Sequence, residues 1–178
     1  MKTPSRRAFI GSLAAGLSAF ALPRPLSAQS AGGRELRFFH THTSERLAVE
    51  YHDGRSYLPD ALTTVNQFLR DFRTGDVHEI DPRLLDLLHD LAVTTDTARP
   101  FEVISGYRSP ATNGMLRRHN EGVAAGSLHM QGMAIDIRLT DVPLGSLRHA
   151  ALAAHRGGVG YYPRSQFVHV DTGRVRTW

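Results

Sequence analysis

The chain has 178 residues, 21 lysines and arginines against 17 acids for a net charge of +4, and no cysteine. Lys2, Arg6, Arg7 and Arg24 account for the excess and no acid occurs before residue 29, so the remainder is neutral and lacks the basic surface that nucleic-acid binding demands. Without cysteine there is no disulfide, and any metal must be held by His, Asp or Glu, which suits an open catalytic site better than a closed structural one.

Residues 1–28 read as an address rather than a fold. Lys2, Arg6 and Arg7 precede "AFIGSLAAGLSAFAL", which is short for a permanent membrane helix, and Ser27 and Ala28 offer a cleavage site. "SRRAFIG" resembles the twin-arginine export signal. That resemblance implies the twin-arginine machinery as a partner, the periplasm as destination, and no stable membrane anchor after processing. An ordinary secretory signal and a retained anchor are the alternatives.

Residues 29–34, "QSAGGR", form a small, polar leader, and 35–178 read as one domain in a mature chain of about 150 residues, long enough for a single core. "ELRFFHTHTSERLAVEY" alternates around "HTSE" as a β-hairpin, ended by the turn "YHDG". "DALTTVNQFLRDFR" has helical spacing behind Asp60 as a cap, and "DPRLLDLLHDLAVTT" repeats it with Asp81 as cap and Pro82 at the first helical position. "FEVISG" reads as a strand, "SPATNGMLRRH" as a helix capped by Ser109, "GMAIDIRL" as a strand and "PLGSLRHAALAAH" as a helix; "GGVGYYP" and "QFVHVDTG" add two strands. Helices mostly precede strands, which predicts an α+β domain with a small antiparallel β-sheet flanked by helices.

In "SLHMQGMAIDIRL" a histidine and an aspartate lie seven residues apart, which no helix face explains. A strand does. If Ala134, Asp136 and Arg138 share one face and Met133, Ile135 and Ile137 the other, Asp136 points away from the core. His129 then sits on the entry loop, and Gly132 lets the backbone turn the imidazole back beside the carboxylate. A third ligand is expected from "FVHVD", where Val168 and Val170 suit the core and Phe167, His169 and Asp171 take the other face.

Ten histidines invite chance pairings. "HTHT" puts His40 and His42 on one strand face and reads as a solvated face, because no carboxylate accompanies it at a convincing spacing. His89 and His149 fall within helices and His155 near a helix end, as polar contacts. "GVGYYP" lacks the lysine and following helix of a phosphate cradle.

"SLHMQGMAID" matches Ser-x-His-x-x-Gly-x-Ala-x-Asp at every fixed position, and in that it resembles the M15 zinc D-Ala-D-Ala-type peptidases, whose fold is hedgehog-like. "SGYRSPATN" and "GGVGYYPRSQFVHVDTGRVRTW" resemble their DUF882, murein endopeptidase K-like branch. The resemblance covers nearly all of the mature chain. It implies zinc held by His129, Asp136 and His169 with a fourth position for water, and a peptidoglycan peptide as substrate, cut at cross-links or stems; a monomer is expected. Arg108 in "SGYRSP" resembles the family arginine that faces substrate and is assigned oxyanion or substrate-carboxylate binding, the alternative being a structural pair with a carboxylate such as Glu121. Ser127 is expected beside the ligands, or is simply a turn residue.

Two imidazoles and one carboxylate leave the zinc a net positive charge, able to lower the pKa of bound water and polarise a carbonyl. The general base departs from the better-known relatives, which place a glutamate three residues before the last histidine or a histidine two before it. Here those positions are Gln166 and Phe167. Asp171 is the remaining candidate, with the competing role of holding the His169 ring by its other nitrogen. An exchange of roles, with Asp171 as ligand and His169 as base, is the lesser alternative, and His119, Glu121 and His155 are the fallback bases. Two function classes stay open, a zinc murein peptidase, endo- or carboxypeptidase, and a non-catalytic zinc- or peptidoglycan-binding protein on the same fold.

Overall fold

The computed structural model describes residues 32–119 and 122–178. Residues 1–28, read from the sequence as an export signal, the expected leader up to residue 31, and Glu121 lie outside the described residues. Alternation in "RELRFFH" gives β1 (Arg34–His40), which turns Leu36, Phe38 and His40 into the core. β2 (Arg46–His52) returns antiparallel to it as the expected hairpin. Two helices follow, α1 (Pro59–Phe68) and α2 (Pro82–Thr95). Asp81 caps α2 as expected, its side chain accepting from the Arg83 N–H. Asp60 does not cap α1: Leu58 occupies that position without a side-chain bond, Pro59 starts the helix, and Asp60 lies in the first turn.

β3 (Phe101–Ser105) leads to α3 (Pro110–His119). Ser109 caps α3 by accepting from the Thr112 N–H at 3.2 Å. A 3-10 turn at Leu128–Gln131 feeds β4 (Ala134–Arg138), followed by α4 (Leu144–Ala154). β5 (Gly158–Tyr162) and β6 (Phe167–Asp171) were expected; the two-residue β7 (Arg176–Thr177) carries no readable periodicity.

The strand order is β2-β1-β3-β4-β6-β5-β7. The α+β class stands, but the sheet is mixed rather than purely antiparallel: β3 runs parallel to β1, and β7 to β5. For β1 and β3 the cause is the connection through α1 and α2. The hairpin fills one side of β1, and a helical crossover returns the chain to its other side in the same direction.

Strand alternation divides the sheet into two faces. Ile135 and Ile137 of β4 and Val168 and Val170 of β6 join Leu84, Leu85, Leu88 and Leu91 of α2 and Leu147 of α4 in one buried core. The opposite face brings Asp136 opposite His169 in the β4–β6 register. A bulge between Val103 and Ser105 lets Val103 pair with Ile137 while Ser105 pairs with Asp136, so one irregularity re-aims Ser105 to the polar face.

Candidate metal centre

His129, on the 3-10 turn, is buried and its Nδ1 donates to the Gly106 carbonyl at 2.8 Å, which leaves the Nε2 lone pair free. His169 is held in the opposite sense: Nε2 lies 3.0 Å from Asp171 Oδ2, leaving Nδ1 free. The two free nitrogens and Asp136 Oδ1 form a triangle with sides of 3.2, 2.9 and 3.2 Å. Ligands of a tetrahedral zinc at about 2.0–2.1 Å stand roughly 3.3 Å apart, so this donor set fits one small divalent ion. With the rings in these tautomers, two nitrogen lone pairs and a carboxylate oxygen converge on one point.

The electrostatics of the cluster favour a cation at its centre. Burial opposes charge on His169, but Asp136 and Asp171 outweigh it and raise its pKa. Burial also opposes the Asp136 carboxylate, yet His129, His169 and Arg108 hold it far below the usual carboxylate range. Burial lowers His129, which stays neutral and able to ligate.

The turn that delivers His129 depends on Gly132. Its φ is +65°, and a Cβ there would run into the Glu79 carbonyl. Its own carbonyl also accepts from the Asp81 N–H at 2.9 Å, tying the turn to the start of α2. Gly132→Ala is therefore expected to lower stability by at least about 1–3 kcal/mol in denaturant titrations and to weaken zinc binding with it.

Arg108 does pair with a carboxylate, but with Asp136. One terminal nitrogen bonds Asp136 Oδ2, and Nε donates to Ser105 Oγ at 2.8 Å. Ser127 is nearly buried, precedes the 3-10 turn and borders the groove, but its side chain makes no capping bond.

Asp171 is fully buried behind the His169 ring and does not border the groove. Besides His169 it accepts from the N–H groups of Gly158 and Gly173, each at 2.9 Å, and from Arg176 at 2.7 and 3.0 Å. Burial opposes its charge, and these donors overcome it, holding its pKa far below the usual range. His119 and His155, also weighed as bases, are exposed at the ends of α3 and α4 and do not border the groove.

The reading of "HTHT" as a solvated strand face fails for His40, while His42 is exposed but lies beyond the strand. β1 ends at His40, whose ring is buried against Phe68 and Phe72, with a pKa lowered to about 4 by burial first and by His42. His42 lies in the turn beyond, stacked on Phe72 and bordering the groove. Sequence reasoning also passed over Arg73, Tyr162, Arg176 and Trp178, all on the groove wall. Trp178 crosses Gly160 at 2.8 Å from where a Cβ would be, and its indole N–H donates to the Tyr162 hydroxyl at 2.7 Å. A lone tryptophan was the one available hint; spacing offered none for the others.

Residues 28–178 match the Peptidase_M15_2 family model, described as peptidoglycan L,D-endopeptidase MepK. The peptidoglycan L,D-endopeptidase MepK of Escherichia coli strain K12 is 42% identical over 169 residues, covering 95% of this chain and 93% of that protein. The probable peptidoglycan L,D-endopeptidase MepK of Haemophilus influenzae is 41% identical over 172 residues, covering 95% and 91%.

Proposed function

Since the chain belongs to the Peptidase_M15_2 family, we propose that it is an exported, zinc-dependent peptidoglycan peptidase. The bonds in view lie next to D-amino acids or diaminopimelate, and the relatives' description as L,D-endopeptidases favours internal cleavage over carboxypeptidase action. The observation that carries the zinc reading is the triangle of His129 Nε2, His169 Nδ1 and Asp136 Oδ1, each imidazole fixed from outside by an acceptor.

Bound there, zinc would supply Lewis acidity toward a scissile carbonyl and lower the pKa of water toward neutrality. The protein's own groups do the positioning. Gly106 and Asp171 fix the two rings in the tautomers that present lone pairs. Arg108, tied to Ser105 and Asp136, keeps a positive charge at the groove wall for negative charge developing on the carbonyl oxygen. Asp171 is assigned to orientation rather than proton transfer, since its lone pairs are already used by five donors. Ser127 lies where a peptide would pass.

One observation favours the second reading, a binding protein without turnover. Among the described residues, Asp136 supplies the groove's sole carboxylate, and no free one is available to take a proton. Digesting purified sacculi with the mature protein decides between the two. Release of muropeptides that stops with a chelator and returns with zinc is expected; stoichiometric zinc without release establishes the binding role. Export is tested separately: changing Arg6 and Arg7 together to Lys is expected to leave precursor in the cytoplasm, and normal processing would point to the general secretory route.

A further inference from the structure

Three guanidinium groups border the groove, and two of them are engaged within the protein. Arg108 bonds Ser105 and Asp136, and Arg176 bonds Asp171. Arg73 differs. Among the described residues its guanidinium forms no ion pair, and it lies on the face of Phe72, 4.1 Å from the ring centroid. His42 stacks on the same Phe72 ring at 4.3 Å with 10° between planes. The aromatic seat favours one placement of the exposed guanidinium, so part of the ordering cost of binding is already met. Burial disfavours its charge, and the nearby Arg108 disfavours it further, against partial relief from Asp71.

The location suggests what such a cation takes. The chain reaches His42 just beyond the end of β1, which adjoins β3, which adjoins β4 and Asp136. Two strand spacings of about 4.8 Å separate β1 from β4, a lateral offset of about 10 Å across a groove that both ends line. An extended peptide advances about 3.3–3.6 Å per residue, so 10 Å is roughly two to three residues.

We propose that Arg73, seated on Phe72 beside His42, is a specificity-determining anion subsite that takes a free carboxylate of the substrate peptide roughly two to three residues from the cleaved bond. The free carboxylate of a diaminopimelate side arm supplies that chemistry. The proposal rests on the reading of the chain as a peptidoglycan peptidase. Planar guanidinium and carboxylate pair through two parallel hydrogen bonds, so a carboxamide at the same place loses the charge and one acceptor.

The test uses two synthetic cross-linked peptides that differ by a carboxylate or a carboxamide at the diaminopimelate side arm. The zinc-loaded wild-type protein is expected to prefer the carboxylate about tenfold or more in kcat/KM, carried by KM. In Arg73→Gln that preference collapses to under about twofold with zinc content unchanged, and Arg73→Lys restores part of it. Calorimetric Kd values for the same pair keep the two readings apart. Failure to cleave either peptide sinks the peptidase reading, whereas the subsite falls if wild type binds both peptides equally or if Arg73→Gln keeps the preference.

Discussion

His129→Ala is expected to strip most of the zinc from the protein and to lower muropeptide release by about a thousandfold or more, because the Lewis acid contributes several kcal/mol to the barrier. The loss is of a ligand and not of the fold: the imidazole sits on a short turn, bonded through Nδ1 to a single backbone carbonyl, with the leucine core on the other face of the sheet. Circular dichroism should therefore stay close to wild type, and the denaturation midpoint close to that of the zinc-free wild type, while zinc content falls from about one per chain. His42→Ala is the matched control, removing a groove histidine with no carboxylate at ligand distance among the described residues. Full zinc in His129→Ala, with loss in His42→Ala, would move the centre to the "HTHT" turn.

The convergence of His129, Asp136 and His169 was legible in part because strand alternation puts two of them on one face, while their assignment as a ligand set came from the family resemblance. A strand alternates, so "AIDIR" and "FVHVD" each assign one face to the core, and antiparallel register then sets Asp136 opposite His169. What stayed illegible depends on contacts between segments far apart. The Gly106 carbonyl that fixes His129 comes from a loop 23 residues away. Arg176, which occupies Asp171, belongs to a strand two residues long. Alternation alone put His40 and His42 on one solvated face; the strand ends between them, and Phe68 and Phe72 cover His40. The parallel pairing of β1 with β3 follows from the direction of a two-helix crossover, a tertiary choice that periodicity does not encode.

Asp171→Asn tests the assignment that the sequence left evenly divided. The carboxylate receives five donors: the His169 Nε2–H, two backbone N–H groups and two from Arg176. An asparagine of the same shape offers a single acceptor oxygen, and its NH₂ faces whichever donors the oxygen does not. If the oxygen serves Gly158, Gly173 and Arg176, the amide nitrogen opposes the His169 N–H, and the ring loses the bond that aims Nδ1 at the ligand triangle. If the oxygen serves His169 and Arg176 Nη2, the amide nitrogen opposes the Gly158 and Gly173 N–H groups and Arg176 Nη1, which displaces the side chain that holds the ring. Either way the ring is held less firmly and loses a basicity-raising anion, so zinc affinity is expected to fall about 10- to 100-fold while saturating zinc restores most of the turnover. A general base behaves oppositely: the variant keeps zinc, turnover falls by roughly 10²- to 10⁴-fold, and added zinc changes nothing. Zinc affinity by chelator competition and muropeptide release across a zinc titration, on one preparation, separate the two. Recovery with zinc fixes Asp171 as the residue that orients His169, and turnover that stays low at full occupancy overturns that role.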